Sequence, residues 1–110
     1  MGGYMVEPRT ALEGSYLMLK MTTIYPFGEI PPNLWIGLSD YQEEGVFRWL
    51  SDNSTLTEGF WIVGEPDNGG ILSGGPQNCV NMVIPALGYW DDDYCNNYQT
   101  KTWACQRPAN

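Results

Sequence analysis

Apolar residues recur at helical spacing early in the chain. Leu12, Tyr16 and Leu19 fall on one face, and Met5, Val6 and Leu17 add apolar support. Pro8 precedes this stretch, and Thr10 with Glu13 three residues later forms a capping box, so a helix is predicted over 9–21. Gly14 weakens it by roughly 1 kcal/mol relative to alanine. Residues 22–33 carry Pro26, Gly28, Pro31 and Pro32 and read as a loop. Leu34-Trp35-Ile36-Gly37-Leu38 is a short buried strand, and Phe47-Arg48-Trp49-Leu50 is another, closed by the turn signal Asp52-Asn53. Residues 59–78 are rich in Gly and Pro and lack periodicity; a loop of that length inside a compact domain is usually functional or disordered. Residues 79–84, Tyr89-Trp90 and 102–105 read as the remaining strands. There is no internal repeat and no domain boundary. The expected class is α+β, with antiparallel strands and long loops.

Composition narrows the function. The chain has 110 residues, which sets one domain, 1–110, as the expectation. Its 5 Lys and Arg against 13 Asp and Glu leave a net charge of -8, with no basic patch to neutralise phosphate, so nucleic acid is not an expected partner. No apolar run approaches the roughly 18 residues of a membrane span. There is no histidine, which removes the usual general base and the commonest zinc ligand. The 3 cysteines allow one disulfide with one thiol left over.

The chemistry gathers near the C-terminus. Glu65-Pro66-Asp67-Asn68 is followed by Gln77-Asn78-Cys79, then Trp90-Asp91-Asp92-Asp93, then Cys95 and Cys105. Hard oxygen ligands on two loops held by a disulfide are how a small extracellular domain builds a calcium site. Taken alone, Asp91-Asp92-Asp93 reads as a charged turn. Two carboxylates can also form a glycosidase pair, but no apolar pocket is evident here to raise one pKa, so an enzyme is not expected. Asn53-Ser54-Thr55 is an N-glycosylation sequon in a turn. Trp35, Trp49 and Trp61 read as core residues and not as ligand contacts.

The ordered set of motifs resembles a C-type lectin-like domain. The marks are Trp35-Ile36-Gly37-Leu38, Phe47-Arg48-Trp49, Trp61-Ile62-Val63-Gly64-Glu65-Pro66-Asp67-Asn68, Asn78-Cys79-Val80, Trp90-Asp91-Asp92, Cys95 and Trp103-Ala104-Cys105. Gly2-Gly3-Tyr4-Met5 and the helix after it resemble the family's second helix and its lead-in. The family begins with a strand and a first helix that carries a cysteine, and this chain starts after that point. The resemblance therefore implies a single carbohydrate-recognition domain without the usual first strand and first helix. It pairs Cys79 with Cys95 and leaves Cys105 without its usual partner. That follows from a shortened chain, or else Cys105 bridges two copies into a dimer.

The resemblance also implies a function and its residues. Glu65, Asp67, Gln77, Asp91 and Asp92 would hold Ca2+, with Glu65 and Asp67 flanking a proline that is cis in the family. Glu65, Asp67, Gln77 and Asp91 would meet a sugar. Asp40 and Glu44 match two ligand positions of a second, auxiliary calcium site, in which Asn68 and Asn78 stand where the family usually has Asp. Where the family has Glu two residues before the cysteine this chain has Gln77, and where it has Asn after Trp90 this chain has Asp91. Both flanks of Pro66 are acidic, so four carboxylates replace the usual three, which favours the ion. Ionised Glu65 and Asp67 are acceptors only, so the donor to a sugar hydroxyl must come from Gln77. Residues 69–75 hold no aromatic to stack on a galactose face, so mannose-like sugars are expected. The expected role is calcium-dependent binding of glycans, microbial ones included, by a secreted or extracellular protein of innate immunity. The rival role is a lectin-like fold with structural calcium that contacts protein, mineral or ice.

Overall fold

Asn33–Ser39 (β2) organises the molecule, and six of its seven residues are buried. An apolar strand buried on both sides needs neighbours on both edges. Cys79–Val83 (β4) runs antiparallel along one edge, with Leu34 opposite Met82 and Ile36 opposite Val80. Arg48–Trp49 (β3) pairs antiparallel with Leu38 and Ser39, and Lys101–Trp103 (β6) pairs with residues 33–35. Tyr89–Asp93 (β5) extends the sheet beyond β4 in the order β3-β2-β4-β5. Tyr4–Met5 (β1) and Cys105–Gln106 (β7) form a separate two-stranded ribbon that sets Met5 opposite Cys105. These positions come from a computed structural model, which describes residues 4–25, 32–66, 77–95, 101–103 and 105–106.

The fold class is α+β, as expected, with one α-helix among the described residues and a mainly antiparallel sheet. The β2–β6 pair is the exception and runs parallel. The helix, Ala11–Ile24 (α1), starts as the capping box dictates: Glu13 N–H donates to Thr10 Oγ1 at 3.1 Å, and Thr10 N–H donates to Glu13 Oε1 at 3.0 Å. Such a cap contributes about 1 kcal/mol. It ends three residues later than expected, at Ile24, with the Thr22 and Thr23 hydroxyls donating to carbonyls one turn back.

The face of α1 that meets the sheet is not the one the spacing suggested. Leu12, Tyr16 and Leu19 are 80%, 59% and 65% exposed, whereas Met21 is buried and Leu17 and Met18 pack against the core. Periodicity identifies an apolar stripe, but the packing of the lead-in decides which stripe is seated. Here Val6, Glu7 and Pro8 are buried ahead of the helix and fix its roll. The outer stripe borders an apolar groove of about 610 Å3 that reaches Val6 and Leu34.

Glu7 is 4% exposed and is satisfied on both oxygens. Arg9 and the Ser51 hydroxyl donate to Oε1 at 2.7 and 2.8 Å, and Ser51 N–H donates to Oε2 at 2.9 Å. The network ties the lead-in of α1 to the turn after β3. Gly37 lies against it: Val6 O and Leu50 N–H bond its backbone, and a Cβ there would sit 3.0 Å from the Glu7 side chain.

The core lies around β2. Leu34, Ile36, Leu38, Val80, Met82 and Trp90 are each at most 2% exposed, and each such side chain contributes about 1.5–3 kcal/mol on burial. Trp90 meets Trp49, Phe60 and Trp61 edge-on, with ring centroids 5.9, 5.4 and 5.5 Å apart. Trp35, Trp49 and Trp61 all pack into or against the core, as expected. The Cys79–Cys95 disulfide is formed and spans 16 residues, a loop whose closure contributes about 3 kcal/mol.

Candidate functional site

The β4–β5 hairpin carries the acidic run. Asp91, Asp92 and Asp93 continue β5 past Trp90 and are not a charged turn. Register sets Asp92 opposite Val80 and Asp91 opposite Asn81. Trp90 pins the strand into the core at its start, and the disulfide closes the hairpin where Cys79 faces Asp93. Asn81 is fully buried between strands, and its Nδ2 donates to the Asp91 carbonyl at 3.2 Å. An amide in the middle of the apolar run Cys79-Val80-Asn81-Met82-Val83 is the sequence signal for that role, and the motif reading passed over it.

Glu65 arrives from a distant segment. Trp61 bridges Trp90 in parallel, Trp90 N–H donates to Phe60 O at 2.8 Å, and Ile62 N–H donates to Trp90 O at 2.9 Å. This short ladder runs the segment beside β5. A turn follows in which Glu65 N–H donates to Ile62 O at 2.9 Å and Gly64 adopts φ +91°, a conformation that strains a residue with a Cβ. The turn delivers Glu65 to the acidic strand, and the Glu65–Pro66 peptide is cis. Carboxylate oxygens of Glu65, Asp91 and Asp92 then all lie within 4.8 Å of one another. Asp92 is 1% exposed and the other two are half-buried.

A second acidic group adjoins the first. Asp40 follows β2 and is 2% exposed; its N–H donates to Asn78 O at 3.3 Å, and the Ser39 hydroxyl donates to the same carbonyl at 2.6 Å. Gly45 N–H donates to Asp40 Oδ2 at 2.9 Å, which curls residues 40–45 into a loop over the strand end. Glu44 lies beside Asp40, and the proton it can share with that carboxyl, with the nearby charges of Asp40 and Asp92, raises its pKa above the ordinary carboxylate value. The two predicted ligand sets are therefore adjacent, with Asp92 close enough to be felt by Glu44.

Of the five residues expected at the main site, the structure brings together Glu65, Asp91 and Asp92. Gln77 is half-buried just ahead of β4. Asp67 lies outside the described residues. Of the second set, Asp40 adjoins both Glu44 and Asn78, and Asn68 lies outside the described residues. Cys105 takes its place in β7, with its side chain outside the description. The apolar groove beside α1 shares none of its lining with Glu65, Asp91 or Asp92.

The donor chemistry fits a hard cation. Calcium takes six to eight oxygens at about 2.3–2.6 Å, so two of its ligands stand at most about 5 Å apart. The oxygens of Glu65, Asp91 and Asp92 meet that limit. Asp40 Oδ1 and Asn78 Oδ1 are buried without a hydrogen-bond partner among the described residues, and buried oxygens in that state are costly unless something binds them. Among the described residues no nitrogen or sulfur ligand joins the cluster, which disfavours zinc. A bound calcium would neutralise the mutual repulsion of these carboxylates and offer open coordination positions to hydroxyl oxygens.

The sequence and the fold were compared with known proteins. Residues 1–107 match the profile of the Lectin C-type domain. C-type lectin domain family 4 member K of Mus musculus is 38% identical over 77 residues, covering 67% of this chain and 22% of that protein. CD209 antigen of Homo sapiens is 32% identical, with 98% of this chain aligned to 23% of its own length. The chain thus spans under a quarter of each. Among solved structures, the cow C-type carbohydrate-recognition domain of CD23, determined in the presence of a GlcNAc2Man3 oligosaccharide, superposes with a TM-score of 0.71 at 29% identity. That alignment covers 98% of this chain and 71% of the solved one. With the profile spanning nearly every residue and the fold shared, this chain belongs to the C-type lectin domain family.

Proposed function

We propose that this chain is a calcium-dependent carbohydrate-binding domain that works outside the cell. Glu65, Asp67, Gln77, Asp91 and Asp92 hold the ion, and Glu65, Asp67, Gln77 and Asp91 meet the sugar hydroxyls. The observation that carries the reading is the convergence of the Glu65, Asp91 and Asp92 oxygens from two separate segments. Like charges gathered this closely repel, and a bound cation would offset that repulsion. Family membership supports a sugar ligand, and the disulfide suits an oxidising, extracellular setting.

Two features tune the ligand. The surplus of acidic ligands raises affinity for the ion, while Gln77 supplies the amide donor that a sugar hydroxyl requires. Mannose-like sugars are favoured, since residues 69–75 hold no aromatic side chain. Asp40, Glu44, Asn68 and Asn78 hold a second ion that braces the loop of residues 40–45. The alternative role, contact with protein or mineral through the same loops with calcium only structural, draws on the displaced amides at positions 77 and 91. A glycan array probed with and without chelator separates the two. Chelator-sensitive binding to mannose-like glycans supports the lectin, and calcium binding without any glycan signal supports the alternative.

A further inference from the structure

We propose that Asn53 carries an N-linked oligosaccharide. Asn53-Ser54-Thr55 is the sole N-glycosylation sequon in the chain, so any N-linked glycan must sit there. Asn53 and Thr55 are both exposed, and Asn53 closes the turn that follows β3, at φ +61° with its N–H donating to Trp49 O at 2.8 Å. Asparagine is among the few residues with a side chain that tolerate this conformation.

The hydrogen bonds leave the reacting atom available. Gln42 Nε2 donates to Asn53 Oδ1 at 2.8 Å. That bond engages the carbonyl oxygen, whereas the glycosidic bond is made at Nδ2, so the contact with Gln42 survives the modification and orients the amide. Ser54 turns back to Asp52, its hydroxyl donating to Oδ1 at 2.6 Å. In the transfer, Nδ2 displaces diphosphate from C1 of a lipid-diphosphate-linked oligosaccharide. The C1–O bond breaks, the Nδ2–C1 bond forms, and the amide proton leaves with the diphosphate.

The position also suits a glycan in the folded protein. Asn53 follows β3, and β2 and β4 lie between that strand and β5, which carries Asp91 and Asp92. A glycan there covers the turn at the β3 end of the sheet with hydrophilic bulk, which discourages pairing with another chain.

The test is the intact mass of the chain secreted from a eukaryotic host, before and after peptide N-glycosidase. The expected result is a mass above that of the bare chain by one oligosaccharide, which the enzyme removes, leaving aspartate at position 53. Asn53→Gln and Thr55→Ala abolish the added mass, while Thr55→Ser, which preserves both the sequon and the turn, retains it. Secreted protein at the mass of the bare chain overturns the proposal, as does an enzyme-sensitive mass that persists in Asn53→Gln. This readout is independent of sugar or calcium binding, so it stands or falls apart from the lectin reading.

Discussion

Trp61 stacks edge-on against Trp90 with ring centroids 5.5 Å apart at 84°, and the two residues are also bridged in parallel through their backbones. That one contact joins the segment that ends in Glu65 to the strand that ends in Asp91 and Asp92. An aromatic edge contact contributes about 0.5–1.5 kcal/mol beyond its buried area. Here that energy is spent on holding a ligand arm in place.

Trp61→Ala is therefore expected to leave the sheet folded and to weaken calcium binding by up to about tenfold, the equivalent of about 1.4 kcal/mol. Titration calorimetry reads the affinity, and far-UV circular dichroism reads the fold. Unchanged calcium affinity would show that the Glu65 arm is held by something else.

Calcium is expected to stabilise the domain. At a free concentration one hundred times its dissociation constant, an ion that binds only the folded state adds about 2.7 kcal/mol. For a chain of this size that is a rise in melting temperature of about 10 °C or more. Chelator should reverse the rise, and Asp92→Ala should remove it, since Asp92 is the buried member of the cluster. A melting temperature indifferent to chelator would sink the calcium assignment.

The network around Glu7 predicts a stability effect remote from the site. Glu7→Ala strips Arg9 of its 2.7 Å partner and leaves Ser51 N–H without an acceptor. Arg9 is half-buried and keeps Asp52, so the loss is that of unsatisfied hydrogen-bond partners, about 1–3 kcal/mol. Chemical denaturation should show that loss, with Glu7→Gln recovering part of it through the retained carbonyl oxygen. A loss below about 1 kcal/mol would mean the network is incidental.

Asp52 gives a pH dependence. Hydrogen bonds from the Ser54 hydroxyl and from Arg9, with the Ser54 N–H adding to them, hold its carboxyl well below the ordinary value of 3.8. A depressed folded-state pKa stabilises above the unfolded value and loses that stabilisation as pH falls through the folded one. Asp52→Asn is thus expected to destabilise by a constant amount at neutral and mildly acidic pH. The difference from wild type should shrink below 3.8 and vanish in strong acid. Because the group is exposed, added salt should shrink it as well. Denaturant midpoints across that range check both expectations.

Local rules are written in the residues themselves. Thr10 and Glu13 announce the start of α1, Leu34 to Leu38 announce the central strand, and Asp52-Asn53 announces a turn, because each depends on atoms a few positions apart. The ordered Trp, Gly and Cys motifs also placed the chain in its family and paired Cys79 with Cys95, through resemblance and not through geometry. What the sequence could not show is anything set by long-range register. Leu12, Tyr16 and Leu19 formed a valid apolar stripe, yet the buried lead-in rolled Leu17, Met18 and Met21 onto the core. Asp91 to Asp93 read in isolation as a charged turn, yet pairing with β4 made them a strand and buried Asp92. Only the tertiary structure brought Glu65 onto that strand and set Asp92 close enough for its charge to act on Glu44. Those juxtapositions join residues more than twenty positions apart, and they rest on the Trp61–Trp90 ladder and the Asp40–Asn78 contact. Periodicity records which side chains avoid water; only closing the chain decides which of them meet.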